Sequence, residues 1–202
     1  PDILVARLGN SNVNFDKDAI ILRAEFDSLD EADFARSGWK MVGEIQRNKT
    51  TLFNDEYYAN QTEVELTVAY SFGAHTAKPT IRAGNASVSS ISTSNFELGG
   101  FLNLSGNDRD FISGPYMRFA RLVYTYELAE NLLGGTSLPL YFGLSYEAGN
   151  TWERREDISV SSMISSGAIF LGWDSPIGPA FLGYGLSENS NESLYVSLGK
   201  RF

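Results

Sequence analysis

The chain has 202 residues, with 25 acidic side chains, 16 basic side chains, one histidine and no cysteine, and its formal net charge is −9. That length suits one domain or two small ones, and the negative charge argues against nucleic acid and against a basic membrane-surface patch. No run of eighteen apolar residues is present to form a transmembrane helix.

Alternation of apolar and polar side chains with a period of two predicts about ten strands and no helix. The predicted strands are 3–13, 19–28, 39–47, 61–72, 80–88, 116–128, 138–152, 160–174, 179–187 and 193–202. Polar connections separate them, among them 30–38 and 153–159. The chain is therefore predicted to be all-β.

The fourth predicted strand alternates most clearly. Val64, Leu66 and Val68 share one face, and Glu63 and Glu65 share the other. A strand of this length exceeds the mode of about 5–6 residues in soluble proteins. It matches the roughly 9–11 residues that a strand needs to cross a bilayer.

Residues 89–115 are rich in Ser, Gly and Asn and show no sustained period. Loops longer than about 12–15 residues are usually functional or disordered. The strands that follow place charged side chains inward, with Arg121 and Glu127 on 116–128 and Glu147 on 138–152. Glu147 shares its face with Gly143 and Gly149.

The last strand carries Leu194, Val196, Leu198 and Phe202 on one face. An apolar strand that ends on an aromatic residue is typical of an outer-membrane barrel, whose final strand faces lipid. A soluble β-sandwich would instead bury the apolar face, and periodicity alone does not separate the two. Outward aromatic residues near strand ends favour the barrel; these are Trp39, Tyr70, Phe72, Trp152 and Trp173.

Four motifs in this order resemble the bacterial surface antigen (D15) barrel of the Omp85 superfamily, especially the C-terminal barrel of patatin-like outer-membrane proteins. The motifs are Asp27-Ser-Leu-Asp30 with Phe34 and Ser37-Gly38; Phe96-Glu-Leu-Gly-Gly-Phe-Leu-Asn-Leu-Ser-Gly106; Tyr146-Glu-Ala-Gly149; and Leu171-Gly-Trp-Asp-Ser-Pro-Ile-Gly-Pro with Leu182-Gly-Tyr-Gly and Leu194-Tyr-Val-Ser-Leu-Gly-Lys-Arg-Phe202. The resemblance covers most of residues 19–202.

The resemblance implies an antiparallel transmembrane β-barrel in the outer membrane of a Gram-negative bacterium. Residues 1–202 would be its C-terminal barrel domain, with the last ten of sixteen strands, incomplete at the N-terminus. The missing upstream parts would be strands, a POTRA domain and a patatin-like phospholipase domain. Outer-membrane lipid and the barrel-assembly machinery are the implied partners. The machinery would read Leu194, Val196, Leu198 and Phe202, and a homodimer is left open.

The resemblance also implies a loop-to-wall contact inside the barrel. The lumen-loop motif would comprise Gly99, Gly100, Leu104, Ser105 and Gly106, and the lumen-wall motif would comprise Glu147 and Gly149. The sequence departs from the family here, because Leu104-Ser105-Gly106 replaces the family's Arg-Gly-Tyr and Glu147 replaces Asp. Arg109 and Arg118 are therefore candidate substitutes for the missing loop arginine.

No residue pattern points to catalysis, a metal or a cofactor. Gly-x-Ser-x-Gly does not occur, so the sequence has no nucleophile elbow. His75 is the only histidine, and a metal site needs clustered ligands. We therefore expect a non-enzymatic barrel that anchors, inserts or translocates a linked domain, with loop 89–115 in its lumen. A self-contained porin-like or adhesin barrel and a soluble ligand-binding sandwich remain the alternatives.

Overall fold

A computed structural model describes residues 15–52, 55–87, 95–128, 139–175 and 178–199. The long strands are β1 (Phe15–Asp27), β2 (Gly38–Leu52), β3 (Asp55–Phe72), β4 (His75–Ala86), β7 (Tyr116–Leu128), β8 (Leu140–Trp152), β9 (Ile164–Ser175), β10 (Gly178–Ser187) and β11 (Glu192–Leu198). They form one antiparallel sheet in which each strand pairs with its neighbours along the chain, in the order β1-β2-β3-β4-β7-β8-β9-β10-β11. The described part of the chain contains no helix that is long and apolar enough to cross a membrane.

The all-β, antiparallel prediction is confirmed, and most strands lie where the alternation placed them. Two details differ. Residues 160–162, expected in a strand, form a 3₁₀ turn that follows another at Arg155–Asp157. Segment 89–115, expected to lack regular structure, contains the short hairpin of β5 (Phe96–Leu98) and β6 (Ile112–Gly114). The first predicted strand, 3–13, lies outside the described residues.

Strand register places the apolar rows of all nine strands on one face of the sheet, the outer face. Leu22 lies opposite Ile45, Leu66 opposite Ile81, and Leu171 opposite Leu182. Large side chains on the outer face are exposed on every strand: Ile20, Leu22, Phe26, Trp39, Met41, Ile45, Val64, Val68, Tyr70, Phe72, Ile81, Leu122, Tyr126, Leu144, Tyr146, Ile169, Leu171, Leu182, Tyr184, Leu186, Leu194, Val196 and Leu198.

Trp152 departs from the expected ring of outward aromatic residues. Its side chain is only 7 % exposed, and its indole Nε1 donates to Ser162 Oγ at 3.0 Å. Asn150, on the same side of β8, donates to the carbonyl of Ser162. The segment with the two 3₁₀ turns therefore folds back over this end of β8 and covers the ring.

The opposite, inner face carries the packed interior of the protein. Two segments lie against it, entering from opposite ends of the strands: the inner loop, residues 95–114, and the lower turn, residues 28–37. The inner loop contacts strands as far apart as β4 and β11, and the lower turn contacts β7 and β10. One short segment can reach so many strands only if the sheet curls around it.

The described sheet is open. Among the described residues, β1 pairs only with β2 and β11 pairs only with β10. A self-contained barrel would close by pairing 3–13 with the last strand, and 3–13 lies outside the described part, as does Phe202.

Candidate functional site

The inner loop descends from β5, turns at residues 99–107 and returns through β6. Gly99 and Gly100 form its first turn, in which Gly99 N donates to Asn103 O at 2.7 Å and Gly100 N donates to Asn107 O at 3.2 Å. Gly99 has a φ of 144°, and a Cβ there would lie 2.1 Å from the carbonyl oxygen of Asp108. The turn is thus too tight for any other residue at position 99.

Glu147 holds the tip of the inner loop. Its carboxylate is fully buried and accepts hydrogen bonds from Leu104 N at 2.7 Å, Ser105 N at 2.8 Å and Ser105 Oγ at 2.8 Å. Ser145 Oγ, two residues before it on β8, donates at 2.6 Å and itself accepts from Ala168 N on β9. A buried carboxylate is costly unless hydrogen-bonded, and four donors compensate this one.

The backbone of the loop tip is strained at two leucines. Leu102 and Leu104 have φ values of 57° and 71°, in the left-handed region that non-glycine residues rarely adopt. Each such residue costs on the order of 1–3 kcal/mol and persists only where its surroundings over-determine it. Here the Glu147 carboxylate fixes Leu104, and Ser105 Oγ accepts from Leu102 N at 2.8 Å.

Gly106 sets the tip directly against β10 and β11. A Cβ at this residue would lie 2.6 Å from the backbone carbon of Leu186, and its φ is 90°. Gly106 N donates to the hydroxyl of Tyr195 at 3.0 Å, and Ser193 Oγ donates to Gly106 O at 3.1 Å. No larger residue can approach the strand backbone so closely without a shift.

Asn107 completes the contact with the last hairpin. Its amide Nδ2 donates to Leu104 O and to Ser187 Oγ, both at 3.1 Å, and its Oδ1 accepts from Asn191 Nδ2 at 2.9 Å. The loop tip is thereby bonded to β8, β10 and β11 at once.

Apolar packing supports the stem of the loop above these hydrogen bonds. Phe96 lies where a Cβ of Gly84 would stand, and Leu98 and Phe119 lie close to the Cβ position of Gly149. All three large side chains are buried in one cluster with Leu104 and Met117. Gly149 thus makes room for aromatic packing against the loop, while Glu147 supplies the polar contact.

Two arginines on the inner face bond to the loop from β4 and β7. Arg82 donates to Glu63 Oε1 at 2.7 Å and to Asn103 Oδ1 at 3.2 Å, and its Nε lies 3.5 Å from Glu65. Arg121 donates to Leu102 O at 2.6 Å. Glu63 and Glu65, which could be read as a catalytic pair, share an arginine instead.

An aromatic side chain, Phe34, anchors the lower turn on the inner face of the sheet. Phe34 is buried and stacks on Tyr141 with ring centroids 4.4 Å apart and on Phe181 at 5.3 Å. Leu102 of the inner loop joins the same cluster. A cavity of about 190 Å³ lies beside this meeting point, lined in part by Phe34, Lys78, Leu102 and Arg121. The segment 30–38, predicted from the sequence as a polar connection, therefore contains a buried apolar side chain that fixes it to the sheet.

Polar contacts at the rim hold the lower turn in shape. Arg36 forms an ion pair with Glu127 and donates to Gly73 O at 2.6 Å. Asp30 Oδ1 accepts from Arg36 N at 2.8 Å and from Ser37 N at 3.1 Å. Burial works to raise the pKa of the Asp30 carboxyl, but these hydrogen bonds together outweigh it and hold the pKa below its ordinary value.

The expectation that Arg109 or Arg118 partners Glu147 is wrong. Arg109 is 90 % exposed and lies beside Asp110. Arg118 is on the outer side of β7 and donates to Gly84 O and Asn85 Oδ1. The loop backbone and Ser105 take the place of a basic side chain.

The remaining predicted residues are placed as follows. Leu194, Val196 and Leu198 are exposed on the outer face, and Val196 is 79 % exposed. His75 Nδ1 lies 2.7 Å from the Tyr124 hydroxyl. Among the described residues, no group of three or more His, Cys, Asp and Glu side chains could hold a metal.

No role at the site is predicted from the sequence for Ser145, Asn107 or Phe34, although Phe34 stands in the first of the family-like motifs. Ser145 carried a usable signal, because residues i and i+2 of a strand share a face and can act on one group. Asn107 and Phe34 lie in irregular segments where no period reports which side chain turns inward.

No protein-family model matches the chain, and no curated protein sequence matches it significantly.

Proposed function

We propose that this chain is a non-enzymatic outer-membrane β-barrel segment of the Omp85/D15 type. It anchors, inserts or translocates a linked domain and keeps its inner loop in the lumen. The observation that carries the proposal is an apolar outer face that stays exposed along all nine strands of one sheet, while charged side chains lie on the inner face.

The outer face is apolar and exposed from β1 to β11. On a typical soluble monomer the largest apolar patch is about 300–600 Å², whereas this face extends over all nine strands. The inner face holds charged side chains such as Glu63, Arg82 and Glu147, beside the two buried apolar clusters that pack against the inner loop and the lower turn. An apolar, exposed exterior around an interior that accommodates charged groups is the arrangement of a membrane barrel.

The inner loop supports a lumen that is plugged rather than open. It is bonded to β4, β7, β8, β10 and β11 through buried and half-buried groups, so it lies on the concave side of the curled sheet. A plugged barrel suits anchoring or regulated passage better than free diffusion of solutes.

The free strand edges support a partner strand. Unsatisfied backbone groups in lipid cost several kcal/mol each, and the outer edges of β1 and β11 have no partner among the described residues. Upstream strands of a larger barrel, or segment 3–13 in a self-contained one, are the candidates. A soluble sandwich is disfavoured because its apolar face would be packed against a second sheet.

The membrane part of the proposal is tested by refolding the full chain from urea with and without phosphatidylcholine vesicles. We expect β-structure in circular dichroism only with vesicles, and co-flotation of protein with lipid. A monodisperse, folded monomer in plain buffer would contradict the proposal.

The anchoring part is tested by joining a protease-sensitive reporter domain upstream of Pro1, with the reporter alone as control. We expect the fusion, but not the control, in the outer-membrane fraction. Surface protease then distinguishes translocation, which exposes the reporter, from periplasmic anchoring, which protects it. Recovery of the fusion in the soluble fraction would contradict both.

A further inference from the structure

A shallow groove crosses the outer face at β3, β4 and β7. Its floor and walls are almost entirely apolar, and Met163 from the segment after β8 closes one side. Its apolar lining includes Val64, Leu66, Ile81, Ala83, Ala120 and Met163.

Two arginines line this groove, Arg82, which pairs with Glu63 on the inner face, and Arg118. Arg118 lies on the same side of β7 as Ala120 and Leu122, and it is opposite Ala83 on β4 and Asn150 on β8. Beyond Arg118, toward the strand ends at which the inner loop enters, the outer face becomes polar. Arg118 therefore marks the boundary between the apolar belt and the polar rim, which is where lipid headgroups lie on a membrane barrel.

The guanidinium is held in place while two of its N–H groups are left available. Nη1 donates to Gly84 O at 2.9 Å and to Met117 O at 2.6 Å, and Nη2 donates to Asn85 Oδ1 at 3.0 Å. Within the described ranges, the structure shows no partner for Nε–H or for the second N–H of Nη2. The two remaining N–H groups are donors of the kind with which arginine binds phosphate oxygens.

Arg118 also has no carboxylate partner among the described residues, as is true of Arg47 and Arg155. In the part of the chain that the structure describes, carboxylates pair with Arg23, Arg36, Arg82, Arg109 and Arg154, whereas none lies within 4.0 Å of Arg118. A fixed cation beside an apolar groove is complementary to a molecule with an anionic head and an acyl chain.

We propose that the groove and Arg118 form a binding site for a phosphate-bearing lipid. The phosphate accepts from the remaining N–H groups of Arg118, and one acyl chain lies along Leu66, Ile81 and Ala120. This inference rests on the proposed function, because the groove meets lipid only if the outer face lies in a membrane.

The test is native mass spectrometry of the full chain released from detergent after incubation with dioleoylphosphatidylglycerol. Dioleoylglycerol, which lacks the phosphate, and glycerol phosphate, which lacks the chains, are the two comparison probes. We expect one phosphatidylglycerol molecule to be retained preferentially. Competition by glycerol phosphate alone would overturn the lipid assignment in favour of a free-phosphate site.

Variants separate the headgroup contact from the groove. Arg118→Gln should lower phosphatidylglycerol affinity about fivefold, the effect expected of one basic residue at a membrane surface, and Arg118→Lys should retain most of it. Ala120→Phe should lower retention by filling the groove while Arg118 remains. The matched control Arg109→Gln, an exposed arginine on the inner loop, should bind as wild type does.

Failure of this inference is distinguishable from failure of the proposed function. If the chain does not insert into phosphatidylcholine vesicles, the membrane proposal fails. If the chain inserts but Arg118→Gln and Ala120→Phe retain phosphatidylglycerol as wild type does, only the lipid site is overturned.

Discussion

The inner loop and the lower turn reach the same apolar cluster from opposite ends of the sheet, but different forces hold them there. The loop tip is bonded through one buried carboxylate, Glu147, whose oxygens accept three hydrogen bonds from Leu104 and Ser105. The lower turn is inserted through one ring, Phe34, which stacks on Tyr141 and Phe181.

This difference has consequences for how each segment can fail. Hydrogen bonds to a buried carboxylate require close geometry, and losing the acceptor leaves several buried donors without a partner. Apolar contacts decline more gradually, because neighbouring side chains relax partly into a cavity. The loop is therefore the segment that one substitution can release, whereas the lower turn should loosen while staying in place.

Glu147→Ala should have the largest effect. It removes the acceptor for Leu104 N and Ser105 N while their strained backbone remains, so we expect a loss of about 3–5 kcal/mol in the free energy of unfolding. Urea unfolding in vesicles, followed by tryptophan fluorescence, measures it. The control Glu188→Ala removes an exposed carboxylate and should change little; equal effects would contradict the anchoring role of Glu147.

Phe34→Ala should have the next largest effect, about 3 kcal/mol, because it leaves a cavity between Tyr141 and Phe181. The same unfolding measurement applies. Phe111→Ala is the matched control, since Phe111 is exposed on the inner loop. A loss for Phe34→Ala no greater than for the control would show that the lower turn is not inserted.

Gly106→Ala should cost about 2 kcal/mol, partly from its positive φ and partly from the contact with the backbone of Leu186. Gly73→Ala measures the contribution of positive φ alone, because Gly73 has a φ of 61° but open space around its Cβ position. The difference between the two variants therefore gives the contribution of the contact with Leu186. If the two variants were equally destabilised, the close approach of the loop to β10 would be refuted.

Acidification should have the smallest effect. The pKa of Asp30 is lower when folded than its ordinary value of 3.8, so its charged form stabilises the lower turn above that value. The stabilisation is lost as pH falls through the lowered pKa. Asp30→Asn should cost less than about 1 kcal/mol near pH 6, since the site is exposed. The difference from wild type should shrink toward pH 3, and a difference that grows on acidification would contradict the assignment.

Strands and their faces could be predicted from the sequence, because the period of two reports directly which side chains share an environment. The period of two places Val64, Leu66 and Val68 on one face and Glu63 and Glu65 on the other, and it predicts Glu147 inward. The partner of Glu147 cannot be predicted in the same way. Backbone N–H groups carry no residue signature, and the family's loop arginine directs attention to Arg109 and Arg118, neither of which contacts Glu147.

Irregular segments account for the other misses. Phe34 stands among polar residues, and nothing in the pattern indicates that it turns inward rather than to solvent. The period of two predicts that Trp152 faces outward on β8, but the segment after β8 covers its side chain. The period of a strand carries no information about such a segment. In both cases a contact distant in sequence decides the environment.

Nitroxide labels along β3 test directly whether the outer face lies in lipid while the opposite face packs against the interior. The chain contains no cysteine, so single-cysteine variants at positions 63–68 each carry one label. In vesicles, labels at 64, 66 and 68 should collide with dissolved oxygen far more than with a water-soluble nickel complex, and labels at 63, 65 and 67 should show lower oxygen accessibility. Strong nickel accessibility at 64, 66 and 68 would place the outer face in water and would contradict the membrane proposal.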